Sequence, residues 1–290
     1  MTAFHPRRSV LYMPGSNARA LEKAKTLPAD SLILDLEDAV APDAKADARE
    51  RVCDAVRQGG YGPRELVIRV NGLDGEWGPD DLTAAAQSPV DAILMPKVES
   101  AAQVARAEAM LNAQAGHADI AIWCMLETPL GILHAEPIAA SRRVACLVMG
   151  TSDLVKDLRA RHTTARLPVL TSLSFCLLAA RAYDCAILDG VHLDLADEDG
   201  FAEACRQGRD LGFDGKTLIH PKQIAAANEV FAPDDDEVEQ AHAIIAVFEA
   251  AQREGKGVAL LDGRLVENLH VENARRTLAL AAAIAARRDE

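Results

Sequence analysis

The stretch Ile120-Ala121-Ile122-Trp123-Cys124-Met125-Leu126 is an unbroken apolar run, and it is followed at once by Glu127-Thr128-Pro129. A short apolar run of this composition predicts a strand that is buried on both faces. The run Cys146-Leu147-Val148-Met149-Gly150 leads into Thr151-Ser152-Asp153 in the same way. An acidic side chain directly after such a strand is typical of the active-site end of an α/β barrel, where the carboxyl ends of the strands meet.

Apolar runs of this kind recur along the chain and alternate with longer Ala-rich amphipathic segments. The predicted strands are 9–13, 31–36, 66–70, 92–95, 120–126, 145–149, 186–188 and 217–219, and the predicted helices include 18–26, 44–57, 101–113, 136–142, 173–182 and 198–211. This eightfold alternation predicts an α/β fold, a closed (β/α)8 TIM barrel. An open doubly wound sheet fits less well, because the sequence contains neither GxGxxG nor GxxxxGKS/T.

The chain continues past the eighth predicted strand with a segment that the eightfold repeat cannot include. Helical patterns at 234–254 and 270–288 flank 258–266, which predicts a small hairpin with Asp262-Gly263 at its turn. We therefore expect residues 1–231 to form the barrel catalytic domain and residues 232–290 to form a C-terminal helical and hairpin extension. The extension would serve as a lid over the barrel mouth, as an oligomerisation arm, or as both.

The composition is typical of a soluble globular protein, and the net charge argues against general binding to polyanions. Of 290 residues, 49% are hydrophobic and 26% are charged, and the formal net charge of −13 argues against nucleic-acid or membrane-surface binding. The six cysteines show no CxxC spacing, so we expect buried, reduced thiols. The first residues lack the apolar core of a signal peptide, and no apolar stretch approaches the roughly 18 residues of a membrane span, so we expect a cytoplasmic protein.

Glu127 and Asp153 together suit a hard divalent cation. A protein usually binds Mg²⁺ through one oxygen from each of two carboxylates, and water molecules fill the other positions. A substrate carboxylate and its neighbouring carbonyl can then replace some of these waters. Arg69 lies near the end of the third predicted strand, and its planar guanidinium would bind the same carboxylate in a way that Lys cannot. Two alternatives stay open, because the acids could cap the helices that follow them, and Arg69 could form a structural ion pair with Glu37 or Asp38.

Two other strand ends carry groups that suit an anionic ligand. Gly15 and Ser16 follow the first strand at the start of a helix, where their backbone N–H groups could face an anion. Arg19 and Lys23 lie one turn apart on that helix and share a face, although this face could equally be a solvated surface. His220 ends the eighth strand, and there we favour a positioning role over proton transfer.

Several segments stand in an order along the chain that resembles one family. They are Arg8-Ser9-Val10-Leu11-Tyr12-Met13-Pro14-Gly15-Ser16-Asn17, Ile33-Leu34-Asp35-Leu36-Glu37-Asp38-Ala39-Val40, Leu126-Glu127-Thr128-Pro129, Met149-Gly150-Thr151-Ser152-Asp153-Leu154, Asp189-Gly190-Val191, Gly212-Phe213-Asp214-Gly215-Lys216 and Ile219-His220-Pro221. The chain closely resembles the citrate lyase β-subunit/malyl-CoA lyase family, within the wider class of HpcH/HpaI-like aldolases. The resemblance covers nearly the whole chain.

The resemblance implies a Mg²⁺-dependent barrel enzyme that makes or breaks a C–C bond between an acyl thioester and a 2-oxo acid. It implies that Glu127 and Asp153 are the metal ligands, that Arg69 clamps the oxo acid, and that the acids Glu37 and Asp38 order water and Arg69. The same match assigns substrate contacts to Pro14, Gly15, Gly150, Thr151 and Ser152, and CoA contacts to Arg19, Lys23, His220 and Pro221. Family members are commonly homotrimers whose tail can close over a neighbouring subunit's site, so a homo-oligomer is expected, with small molecules as its other partners.

One segment departs from the family pattern. Lyases and thioesterases of the family carry an Asp in the tail hairpin, whereas the matching segment here is Leu265-Val266-Glu267. Glu267 would be the catalytic lid acid on a longer side chain, or Asp262 would take its place. A displacement of about one ångström changes the rate of an enzyme, so this departure bears on the acyl donor and on thioester hydrolysis rather than on the metal site.

The resemblance therefore predicts an oxo-acid lyase for a 3-hydroxyacyl-CoA thioester of the malyl-CoA, methylmalyl-CoA or citramalyl-CoA type. The reaction would interconvert this thioester with an acyl-CoA and a 2-oxo acid such as glyoxylate or pyruvate. The alternatives are a citrate lyase β-subunit that works on a carrier-protein thioester, a malyl-CoA thioesterase, a CoA-independent 4-hydroxy-2-oxo acid aldolase and a non-catalytic CoA-binding protein. The last fits the acids and Arg69 least well.

Overall fold

Parallel strands form a closed barrel in the computed structural model, which describes residues 5–114 and 120–288. The strands are β1 (Ser9–Pro14), β2 (Ser31–Asp35), β3 (Glu65–Arg69), β4 (Ala92–Met95), β5 (Ala121–Leu126), β6 (Val144–Met149), β7 (Ala186–Asp189) and β8 (Gly215–Leu218). Each strand pairs with the next one along the chain, and β8 pairs with β1 through Val10 and Thr217. The predicted (β/α)8 barrel is therefore confirmed.

Some of the helices that follow the strands match predicted segments, and the largest difference among these is a helix that begins at Leu167 and not at 173. They are α1 (Ala18–Ala24), α2 (Lys45–Gln58), α3 (Gly78–Ala86), α4 (Ala101–Asn112), α5 (Pro129–Leu133), α6 (Ala135–Ala139), α7 (Thr151–Asp157), α8 (Leu167–Ala182), α9 (Glu198–Leu211) and α10 (Ile224–Val230). The sequence did not predict α3, α5, α7 or α10. Helix α3 begins at Gly78-Pro79, a pair that predicts a loop, although proline is well tolerated in the first turn of a helix.

Side chains along each strand alternate between the barrel interior and the surrounding helices. The interior cluster contains Val10, Ile33, Val67, Ala92, Leu94, Trp123, Met125, Cys146, Val148 and Leu188. The same alternation continued towards the carboxyl ends of the strands brings Asp35, Arg69 and Glu127 to the inward face at the mouth of the barrel. The fold therefore gathers polar groups from different strands at one end of an apolar interior.

The residues from Ala232 on belong to a second compact unit, distinct from the barrel unit Arg7–Phe231. This unit contains α11 (Asp235–Arg253), β9 (Ala259–Leu261), β10 (Arg264–Val266) and α12 (Asn268–Arg288). Asp262 and Gly263 both have positive φ, as the tight turn of the β9–β10 hairpin requires. The role of the extension as a lid or oligomerisation arm stays a prediction. Within the described ranges, no helix is long and apolar enough to span a membrane.

Asp189, at the end of β7, is a buried acid that two cations share. Lys216 Nζ donates to Asp189 Oδ2 at 2.7 Å, and Arg166 Nη1 donates to both carboxylate oxygens at 2.7 and 2.6 Å. Burial alone would raise the pKa of Asp189, but the ammonium and the guanidinium outweigh it and hold the pKa below its ordinary value. The cluster ties β7 to β8 and to the start of α8.

We expect Asp189→Ala to lower the free energy of unfolding by about 3–5 kcal/mol, because it leaves Lys216 and Arg166 without their shared partner. Urea unfolding near neutral pH measures this effect. Since the folded pKa is lowered, the stabilisation by Asp189 is present above its unfolded pKa of about 3.9 and is lost as the pH falls through the folded value. The control is Asp210→Ala on the exposed face of α9; equal losses in the two variants would contradict the prediction.

Candidate active site

One cleft of about 500 Å³ lies at the carboxyl ends of the barrel strands. Most of the predicted site residues of the barrel line it, namely Pro14, Asp38, Arg69, Glu127, Gly150, Thr151, Ser152 and Asp153. Apolar side chains complete the wall, among them Met125, Met149 and Leu193. The cleft thus combines charged groups with an apolar surface, which is the usual character of a small-molecule site.

Arg69 is fixed in the cleft by an acid that the sequence did not single out. Its Nε and Nη2 each donate to one carboxylate oxygen of Asp35 at 2.6 Å, a bidentate arrangement. The pair follows from strand register, since Asp35 and Arg69 are the last residues of β2 and β3 and lie opposite one another. The guanidinium also lies 4.9 Å from the centre of the Tyr12 ring, a cation–π contact.

The ion pair that the sequence left open for Arg69 is present. Arg69 Nη1 lies 2.9 Å from Glu37 Oε2 and 3.7 Å from Asp38 Oδ2. Burial would lower the pKa of Arg69, but the hydrogen bonds and charge of Asp35 outweigh it and raise the pKa above its ordinary value. The guanidinium is therefore charged at all working pH values, and it is oriented before any ligand arrives.

Glu127 is a buried carboxylate at the end of β5. Its Oε1 accepts a hydrogen bond from the backbone N–H of Lys97 at 2.9 Å. Burial disfavours the charged form and raises the pKa of Glu127 to about 7, although the amide and the ammonium of Lys97 act in the opposite direction. A carboxylate with this desolvation penalty gains strongly from a nearby divalent cation.

Asp153 lies in the first turn of α7, and its carboxylate faces the same cleft as Glu127. Oxygen ligands of this kind fit Mg²⁺. Among the residues that the structure describes, no three His, Cys, Asp or Glu side chains are grouped to hold a metal. Glu127 and Asp153 in one cleft fit a site that takes two protein carboxylates and completes its coordination with water or substrate oxygens.

Gly150 gives the Glu127 side chain the space that it occupies. A Cβ added at position 150 would lie 2.5 Å from Glu127 Oε2 and would also overlap Glu127 Cβ. The next two residues begin α7, and Ser152 Oγ is buried without a hydrogen-bond partner in the described parts of the chain. A buried hydroxyl in the wall of a cleft is a ready donor or acceptor for a ligand.

We expect Gly150→Ala to weaken Mg²⁺ binding and to lower kcat/KM by about a hundredfold, because the new methyl group displaces the Glu127 carboxylate. Mg²⁺ titration by calorimetry and steady-state kinetics measure the two effects. Gly257→Ala is the matched control, since a Cβ there meets nothing within 4 Å. Wild-type Mg²⁺ affinity in the Gly150 variant would show that Glu127 does not bind the cation from this position.

The prediction that the Gly15 N–H faces an anion was wrong, because this N–H already donates a hydrogen bond at the ends of β1 and β2. Gly15 N–H donates to the backbone oxygen of Asp35 at 2.9 Å, so it is not available to an anion. Arg19 and Lys23 are both exposed on α1. Their contact with CoA stays a prediction.

His220 caps the short 3-10 helix Pro221–Gln223. Its Nδ1 accepts a hydrogen bond from the backbone N–H of Lys222 at 3.2 Å, and the His220 side chain is exposed. This contact caps the helix, and the positioning role of His220 towards a substrate stays a prediction. Contact of His220 and Pro221 with CoA stays a prediction.

Glu267 lies in the second compact unit, between β10 and α12. Its backbone N–H donates to His270 Nδ1 at 3.0 Å, which caps the start of α12. Asp262, the alternative lid acid, occupies the exposed hairpin turn. The catalytic role of either acid stays a prediction.

Comparison with known proteins identifies the family. The profile described as HpcH/HpaI aldolase/citrate lyase matches residues 8–221. The chain belongs to this family. The matched region contains every residue of the cleft, and the resemblance read from the sequence motifs is confirmed.

Similar proteins include a malyl-CoA thioesterase and a citrate lyase subunit. The (3S)-malyl-CoA thioesterase of Cereibacter sphaeroides (strain ATCC 17025) is 52% identical over 282 residues, which cover 97% of each chain. The citrate lyase subunit beta of Escherichia coli (strain K12) is 36% identical over 95% of this chain and 93% of its own length. Among solved structures, the protein CitE from Mycobacterium tuberculosis in complex with magnesium, acetoacetate and coenzyme A matches with a TM-score of 0.76 and 29% identity over 94% of this chain and 97% of that one.

Proposed function

We propose that this protein is a Mg²⁺-dependent enzyme that hydrolyses the thioester of (3S)-malyl-CoA or a closely similar 3-hydroxyacyl-CoA. The observation that carries the proposal is the convergence of Glu127, Asp153 and Arg69 in one cleft. Identity of 52% with a (3S)-malyl-CoA thioesterase, over nearly the full length of both chains, supports hydrolysis as the reaction. This choice differs from the lyase activity that the motifs first suggested.

In this proposal Arg69 binds the free carboxylate of the substrate. Asp35 accepts hydrogen bonds from Nε and Nη2, and Glu37 lies 2.9 Å from Nη1, so one N–H bond on each of Nη1 and Nη2 is left for a ligand. Tyr12 supports the guanidinium from one face and keeps it from turning away. The substrate is thereby oriented at its carboxylate end by a charge that the barrel already holds in place.

Glu127 and Asp153 would hold the Mg²⁺ ion. When bound there, Mg²⁺ supplies positive charge that stabilises negative charge developing on substrate oxygen atoms. The hydroxyl of Ser152 would orient the substrate by a hydrogen bond at the cleft wall. Glu37 would keep Arg69 in place through its 2.9 Å contact with Nη1.

The second candidate is C–C bond cleavage of the same class of thioester. The observation that favours it is that Arg69, Glu127 and Asp153 line one cleft, a set that suits a 2-oxo acid as well as the hydroxy acid of the thioester. Relatives described as citrate lyase subunit beta, and CitE structures solved with oxaloacetate or pyruvate, support this alternative. Use of a carrier-protein thioester belongs to the same alternative.

One assay separates the candidates. Purified protein is incubated with (3S)-malyl-CoA, with and without Mg²⁺, while free thiol, malate, glyoxylate and acetyl-CoA are measured. We expect equal amounts of free CoA and malate, formed only when Mg²⁺ is present. Glyoxylate and acetyl-CoA would instead establish the lyase. No turnover of malyl-CoA, methylmalyl-CoA or citramalyl-CoA under either condition would contradict activity on free CoA esters.

CoA contacts from Arg19, Lys23, His220 and Pro221, a lid acid at Glu267 and assembly into a homotrimer complete the proposal. Gel filtration with light scattering tests the assembly, and a mass of three chains is expected.

A further inference from the structure

Lys97 is the residue whose backbone and side chain both contact acids of the candidate metal site. Its backbone N–H donates to Glu127 Oε1 at 2.9 Å. Its Nζ lies 3.4 Å from Glu37 Oε1 and 3.2 Å from Asp153 Oδ2. No sequence motif drew attention to this residue, which simply follows Pro96 after β4.

The backbone of Lys97 has a conformation that lysine seldom adopts. Its φ is +48°, in the left-handed region that is sterically unfavourable for residues with a Cβ. The next residue is again hydrogen-bonded to β5, since Val98 N–H donates to the backbone oxygen of Met125 at 3.1 Å. Residues other than glycine with this backbone conformation are found mostly at functional sites, where the surrounding structure holds them in place.

The Lys97 ammonium offsets a local excess of negative charge. Glu37 and Asp153 each approach the Lys97 ammonium, whereas the Arg69 guanidinium pairs with Glu37 and makes no contact with Asp153 among the ion pairs of the described residues. The Lys97 side chain is 47% exposed, so it can leave this position for solvent without crossing the protein.

We propose that the Lys97 ammonium is a built-in counter-cation that pairs with Asp153 and Glu37 in the metal-free protein and competes with Mg²⁺ for Asp153. Lys97 thereby sets the Mg²⁺ affinity of the site while its backbone N–H orients Glu127. This inference rests on the proposed cation site at Glu127 and Asp153. Lys97 is a positioning residue in this account, because it acts on the metal ligands and not on the substrate.

The test is Lys97→Met, which removes the charge and keeps a long side chain. We expect the dissociation constant for Mg²⁺, measured by calorimetry on chelator-treated protein, to fall by about fivefold to tenfold, since repulsion between the ammonium and the cation is lost. The rise in Tm on adding Mg²⁺ should also become larger than in the wild type. Both measurements are made without substrate, so neither depends on turnover.

The matched control is Lys156→Met, because Lys156 Nζ also lies near Asp153, at 4.0 Å from Oδ1, but its side chain is 75% exposed and does not reach Glu37. Its Mg²⁺ affinity should stay within about twofold of the wild type. Lys97→Arg keeps the charge and should also stay near the wild type. Lys97→Asn is a second charge-removing variant, chosen because Asn tolerates positive φ if the Met variant fails to fold.

Unchanged or weaker Mg²⁺ binding in both charge-removing variants, with normal binding in the wild type, would overturn the role of Lys97 and leave the cation site standing. A wild-type protein that binds no Mg²⁺ would overturn the proposed function and this inference together. The two failures are therefore distinguishable in one set of titrations.

Discussion

We expect Asp153→Ala to lower kcat/KM by about a thousandfold or more and to remove the rise in Tm that we expect when Mg²⁺ is added to the wild-type protein. The reason is that Asp153 is one of only two predicted protein ligands, so its loss leaves Glu127 alone to hold the cation. Steady-state kinetics over a range of Mg²⁺ concentrations, with thermal unfolding on the same samples, measure both effects. The fold should be retained, because the Asp153 side chain is 28% exposed and lies outside the barrel core.

Asp157→Ala is the control for this experiment. Asp157 lies on the same short helix, and its side chain is 35% exposed and pairs with Lys156 at 3.6 Å. Its loss should change kcat/KM by no more than about twofold. Undiminished Mg²⁺-dependent turnover in the Asp153 variant would refute the assignment of the metal site.

We expect Arg69→Lys to lower kcat/KM by about a hundredfold or more, even though the positive charge is kept. A lysine cannot donate two parallel hydrogen bonds to Asp35 while it also binds a substrate carboxylate, because its ammonium has no planar fork. Asp35 is almost fully buried, so it also loses a well-matched partner and the folded state loses stability. Kinetics at saturating Mg²⁺, with urea unfolding, separate the loss of activity from the loss of stability.

The control for the general effect of an Arg-to-Lys change is Arg57→Lys, since the exposed Arg57 pairs only with the exposed Asp54 among the ion pairs found in the described residues. A double-mutant cycle adds Asp35→Asn. If Asp35 acts through Arg69, the two changes together should cost little more activity than Arg69→Lys alone. Fully additive losses, or a Lys variant with wild-type kcat/KM, would contradict the clamp role of Arg69.

The strands could be predicted from the sequence because they are short and continuously apolar, as barrel strands buried on both faces must be. β4 was predicted with its observed bounds, and the others within two residues. The helices were predicted less accurately than the strands. Helix α7 (Thr151–Asp157) begins two residues after the last residue of β6, and the sequence predicted no helix there beyond the open alternative that Asp153 caps one. Helix α8 begins six residues before its predicted start, because Pro168 fits the first turn of a helix although it usually interrupts one.

Candidate site residues could be predicted where a charged residue follows a strand, but not where a partner depends on strand register. Glu127, Asp153 and Arg69 stand out because each one ends or follows an apolar run. Asp35 lies within the run Leu34-Asp35-Leu36, and its pairing with Arg69 depends on the alignment of β2 with β3, which is not visible in either segment alone. No pattern in the sequence singled out Lys97, because the position of its side chain depends on a left-handed backbone conformation that lysine rarely adopts.

The measurement that tests the account most directly is a crystal structure of the protein grown with Mn²⁺ in place of Mg²⁺, with anomalous differences collected at the manganese edge. We expect one strong peak at coordination distance, about 2.1–2.2 Å, from carboxylate oxygens of both Glu127 and Asp153, in the cleft that Arg69 lines. A peak at any other place, or no peak in that cleft at millimolar Mn²⁺, would contradict the metal site and with it the proposed chemistry.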